Sequence, residues 1–171
     1  MIEPGQGEPI AGRPSMPAGY GIAPSTDGLL SWDAVREQLV NARNYWIATT
    51  SPDGRPHAMP VWGLWLDDAF YFGTDPTSRK GRNLSADRRM VIHLESGDDV
   101  VIVEGVADPV SDPSTLLRFS DAYEKKYAFR PDPSTPSTGV YRVRARVAFA
   151  WRENDYPQSA TRWRFPSESF G

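Results

Sequence analysis

Short apolar runs with period-two alternation, bounded by turn residues, dominate the chain and predict strands. The first is Tyr45–Thr50, joined through Ser51-Pro-Asp-Gly-Arg55 to a longer run from Pro56 to Leu66. Asp-Gly between two such runs is a strong hairpin signal. Both alternating faces of the second run are apolar, so both need cover. Pro60 has no N–H for a ladder and Gly63 has no side chain, which together predict an edge or a bulge. Asp67-Asp68 then turns the chain into Ala69–Gly73. Arg89–Glu95 and Val100–Val106 form a second hairpin around Ser96–Asp99. Val140 to Trp151 is the longest alternation: Tyr141, Val143, Ala145, Val147, Phe149 and Trp151 share one face, and Arg142, Arg144 and Arg146 share the other. A solvated outer face is the simplest place for that arginine row. Thr161–Phe165 is a last short strand.

Helical spacing appears three times. Ser31 caps a helix running to about Arg43, with Trp32, Val35 and Leu39 on one face. A short basic helix starts at Ser78, and a third starts at Asp112-Pro113 and runs to about Tyr127. Residues 128–139 and 152–160 are expected loops. Six or seven strands, mostly hairpin-connected and with helices inserted between them, predict a mainly β antiparallel barrel rather than a parallel sheet. Residues 1–24 are rich in Gly and Pro and hold few large apolar groups, so they form an arm, with Tyr20 and Ile22 able to pin its end. Residues 25–171 form the one domain expected of a 171-residue chain.

The basic helix is chemically unusual. Arg79, Lys80 and Arg82 crowd its first turn, where the helix dipole already presents positive partial charge. An anion offsets that conflict. Free N–H groups, the Ser78 hydroxyl and the cations together suit a phosphate. A net charge of −3 and a pI near 5.4 exclude a general nucleic-acid binder, while the local basic cluster suits a small anion. The six Trp and the 12% aromatic content suit a packed core, a planar ligand or a dimer interface.

The absences matter as much. No apolar run approaches a membrane span, and the first residues lack a signal-peptide pattern, so a cytoplasmic protein is expected. There is no cysteine. His57 and His93 are the only histidines, and no metal site is expected. No dinucleotide fingerprint, P-loop or nucleophile elbow occurs. No catalytic acid, base or nucleophile can be assigned, a pattern that fits an enzyme whose cofactor carries the chemistry.

Tyr45-Trp-Ile-Ala-Thr-Thr50, Asp53-Gly-Arg-Pro-His-Ala-Met-Pro-Val-Trp62, Tyr71-Phe72, Ser78-Arg-Lys-Gly-Arg-Asn-Leu84 and Glu104-Gly105, in that order, resemble the pyridoxamine-phosphate-oxidase-like split β-barrel superfamily. The chain most resembles its flavin/deazaflavin (F420) oxidoreductase branch, over about residues 30–165. The resemblance implies a six-stranded split barrel that works as a homodimer, with cofactor sites at the subunit interface. By similarity, Ser78, Arg79, Lys80 and Asn83 would hold the cofactor phosphate. Met59, Pro60, Val61 and Trp62 would line its ring, with Phe72, Gly73 and Thr74 beside it. Trp151, Arg162 and Trp163 resemble residues supplied by the second subunit. The chain departs from the oxidase itself at His57–Trp62, where the oxidase has an Arg-containing phosphate motif. It departs again at Arg162-Trp-Arg164, where a late Arg–His pair is missing. The implied cofactor is F420, whose acidic tail would use extra cations such as Arg82 or the Arg142 row, with FMN as the alternative. The implied reaction is hydride transfer to a planar conjugated small molecule. A non-catalytic flavin, deazaflavin or haem binder is the reading of a different class.

Overall fold

The computed structural model describes residues 8–166. Nine strands form one antiparallel sheet that curls on itself: β1 (Ile10–Gly12), β2 (Tyr45–Thr50), β3 (Pro56–Val61), β4 (Leu64–Leu66), β5 (Ala69–Thr74), β6 (Arg89–His93), β7 (Asp99–Pro109), β8 (Gly139–Arg152) and β9 (Thr161–Arg164). Four helices interrupt them: α1 (Trp32–Asn41), α2 (Arg79–Ala86), α3 (Pro113–Tyr127) and α4 (Tyr156–Ser159). The strand order is β1-β9-β8-β7-β6-β2-β3, and β4–β5 joins through β5 to the first half of β8. The fold is mainly β, as the alternation requires. None of the described helices is long and apolar enough to cross a membrane.

The strand count exceeds the six or seven expected for two reasons. Ile10–Gly12 of the Gly/Pro-rich segment pairs with β9 as an added strand. Arg13 then fastens that segment, its guanidinium donating to the carbonyls of Ser25, Asp27, Gln158 and Ala160. Residues 1–7 of the expected arm lie outside the described residues.

The second reason is a break in the expected Pro56–Leu66 strand. After Val61 the chain leaves β2 and restarts at Leu64 against β5. Gly63 sits at the crossing, where a Cβ would lie 2.4 Å from Phe70 Cζ and 2.8 Å from the Tyr71 carbonyl. The Gly63 N–H donates to Tyr127 Oη (3.0 Å), and that hydroxyl also faces the carbonyls of Gly63 (2.7 Å) and Arg43 (2.8 Å). A buried peptide outside any ladder needs such partners. β3 is consequently an edge strand, and Pro60 on it is tolerated for that reason.

A second correction concerns β8. The register slips between Glu104 and Gly105, which pair with Val147 and Ala145, leaving Arg146 unpaired in the ladder. One extra residue reverses the faces beyond it. Tyr141, Val143 and Ala145 point into the core, but from there Ala148 and Ala150 are buried, while Val147, Phe149 and Trp151 lie on the outer face. The arginine row is also no simple solvated face. The Arg144 side chain is 14% exposed and donates to Asp108 at 2.5 Å, and Arg88 completes the cluster at 2.9 Å. The expected loop at residues 152–160 contains the single turn α4, held by the buried Ser159 hydroxyl, which accepts the Arg152 N–H.

The core is aromatic. Trp32 of α1 meets Trp65, Trp163 and Phe165 at 4.9–6.0 Å, and Phe72 stacks between Phe70 and Tyr141.

Gly63→Ala is expected to destabilise the chain by about 1–3 kcal/mol, because the added methyl meets a fixed ring and a backbone oxygen. Urea unfolding, read as a lowered midpoint at constant slope, checks this.

Candidate functional site

α2 begins as its sequence predicts. The Ser78 Oγ accepts the Gly81 N–H at 3.2 Å and lies 3.1 Å from Thr74 Oγ1. Gly81 is required here, since a Cβ would stand 2.5 Å from the Pro76 carbonyl oxygen. The preceding loop is thereby pressed against the helix start. No acidic residue occupies the first turn, and among the described residues Arg79 and Lys80 form no ion pair. The nearby Asp75 carboxylate is spent on the Thr77 N–H and hydroxyl, both at 2.7 Å, and these bonds hold it below the usual carboxylate range. First-turn N–H groups have no intrahelical partner, so two cations and a dipole end face the same space.

β3 supplies the opposing wall. His57, Met59 and Val61 alternate on the side of Thr49, Ile47 and Tyr45, whereas Ala58 and Pro60 face outward. Lys80 Nζ reaches Met59 Sδ at 3.6 Å. The His57 imidazole is pushed below its ordinary value by desolvation and then by the Arg79 and Lys80 charges. Sequence reasoning gave His57 no part in the site; the strand parity that links it to Met59 was the available signal.

The other expected site residues divide sharply. Asn83 is 2% exposed, and its amide donates to Thr49 Oγ1 at 3.0 Å, so its side chain ties α2 to β2. The Arg82 guanidinium bonds the Thr77 carbonyl. Phe72 and Trp163 have their side chains sealed in the core; Gly73 and Thr74 continue β5 beside β8. Trp151 and Arg162 lie on the outer face of β8 and β9, at the far end of the strand order from β3. Trp62 leaves β3 at the Gly63 crossing, and its indole lies flat on Tyr127 (4.7 Å, 7°). No group of three or more His, Cys, Asp or Glu side chains suited to a metal occurs among the described residues.

The sequence profile of pyridoxamine 5'-phosphate oxidase matches residues 31–152. The chain belongs to the pyridoxamine 5'-phosphate oxidase family. A pyridoxine/pyridoxamine 5'-phosphate oxidase of Rubrobacter xylanophilus is 28% identical over 156 residues, covering 71% of this chain and 72% of that protein. Among solved structures, the conserved hypothetical protein Rv2991 from Mycobacterium tuberculosis superposes with a TM-score of 0.67 at 25% identity, over 86% of this chain and 96% of that one. A structure named F420 reductase superposes with a TM-score of 0.52 at 24% identity, over 66% and 94%. β2, β3, α2 and the whole of β8 fall inside the matched residues 31–152.

The His57 environment carries a pH prediction. Its folded pKa lies below 6.5, so the imidazole is neutral at pH 7, and a bound anion favours its protonation. Sulfate, which does not titrate here, should therefore bind more tightly as pH falls through the region below 6.5, by up to about tenfold. His57→Gln should flatten the profile, measured by isothermal titration.

Proposed function

We propose that this chain is an oxidoreductase that uses the deazaflavin F420, hydride transfer being the chemistry that cofactor supplies when bound. What carries the proposal is the pair of cations, Arg79 and Lys80, which no carboxylate among the described residues pairs, at a helix start that already attracts anions. The donor set fits a phosphate: two cations and the first-turn N–H groups stand against the Met59 side of an edge strand. Met59, Pro60 and Val61 would line the ring, where β3 offers a ladder edge with no further strand among the described residues. The chain's own contribution would be binding, orientation and exclusion of water. Family membership supports a phosphate-bearing redox cofactor, and the fold is shared with a protein named F420 reductase.

The proposal includes a homodimer. Phe149, Ile102, His93, Trp46 and Pro60 pair in succession across β8, β7, β6, β2 and β3, forming a largely apolar outer row. Trp46 and His93 stack in parallel planes on it. Trp151 and Arg162 border the same face and would reach the partner's site.

Binding of F420 and of FMN, measured side by side, tests the cofactor. Selective F420 binding supports the assignment; selective FMN binding moves the chain to flavin chemistry. Lys80→Ala should weaken F420 binding by about 10- to 100-fold, the worth of a charge-assisted hydrogen bond of roughly 1.5–3 kcal/mol. Unchanged affinity would defeat the phosphate assignment. Sedimentation velocity should give twice the 19.1 kDa chain mass, and Phe149→Glu should shift the species toward monomer.

A further inference from the structure

Trp62 is 41% exposed, yet its indole is fixed rather than free. One face rests on Tyr127 in nearly parallel planes. The Tyr127 hydroxyl is itself locked by the Gly63 peptide and the Arg43 carbonyl. Tyr123 stands 6.4 Å from the indole, and the 57%-exposed Phe129 extends the border. A preorganised, partly exposed aromatic platform is a feature of ligand sites more than of solvated surfaces.

Two cations stand beside it. The Arg43 guanidinium carbon lies 5.5 Å from the Trp62 ring centre and 5.8 Å from that of Tyr127, beside the stack. Among the described residues Arg43 has no ion pair. Lys126, 5.4 Å from the Tyr127 ring centre, spends its ammonium protons on the carbonyls of Val40 and Gly63 and on Tyr45 Oη. An arginine held against aromatic rings keeps its in-plane N–H fork for a carboxylate.

We propose that Trp62, Tyr127 and Arg43 form a docking platform for a planar conjugated molecule bearing a carboxylate, the acceptor side of the site. The acceptor role rests on the oxidoreductase assignment above; the binding itself does not. Trp62 follows Met59 by three residues, so at most about 10 Å of chain joins the platform to the Met59 wall of the anion site.

Isothermal titration of the full chain with 2-naphthoate, its neutral isostere 2-naphthamide and non-planar cyclohexanecarboxylate tests the platform. 2-Naphthoate should bind at least about tenfold more tightly than either of the others. Arg43→Gln, a change at an exposed side chain, should bring 2-naphthoate down to the 2-naphthamide level. Trp62→Ala should weaken both naphthyl ligands and leave sulfate binding unchanged. Equal affinities for 2-naphthoate and 2-naphthamide, or indifference of 2-naphthoate to Arg43→Gln, would overturn the platform. Selective 2-naphthoate binding by a chain that takes neither F420 nor FMN would support the platform and overturn the oxidoreductase assignment alone.

Discussion

The hydroxyl of Tyr127 wedged against the Gly63 peptide is the joint on which the arrangement depends. A strand that leaves one partner for another exposes backbone polar groups at the crossing, and burial there is costly unless they are paired. Tyr127 accepts the Gly63 N–H and faces its carbonyl, while Lys126 adds a donor to that same carbonyl. With the crossing fixed, β3 ends as an edge, β4 turns into the second part of the sheet, and Trp62 is thrown outward onto Tyr127. One residue at the end of α3 thus positions both the wall of the anion site and the aromatic platform.

The second constraint is electrostatic. α2 carries its cations at the end where the dipole opposes them, and the described residues pair no carboxylate with Arg79 or Lys80 in compensation. Ser78 caps the helix, Gly81 admits the loop and Asn83 anchors the opposite side to Thr49. Those residues build the cradle, and Arg79 and Lys80 give it its charge. The division explains why a motif that reads as one recognition unit contains members with their side chains turned inward.

Much of this was visible along the chain. The strands at residues 45–50, 69–74 and 161–164, the Ser78 and Asp112 caps and the edge character of Pro60 follow from alternation, cap chemistry and the missing proline N–H. The inward fate of Phe72 and Trp163 was not, because neither residue type nor spacing tells which face of a curled sheet is enclosed. The Arg146 bulge was equally hidden. An uninterrupted alternation predicts one face throughout, while the slip arises from how β8 must bend to serve β5, β7 and β9 together.

Local physical chemistry, then, was sufficient for the β class, for most element boundaries and for the anomalous charge at α2, since each depends on residues within a few positions of one another. Tertiary structure decided which of those residues meet. It brought His57 to Arg79 and Lys80, spent Asn83 on Thr49, and set Trp62 flat on Tyr127 with Arg43 beside both. Those contacts join residues from separate strands and helices, and only long-range packing selects them.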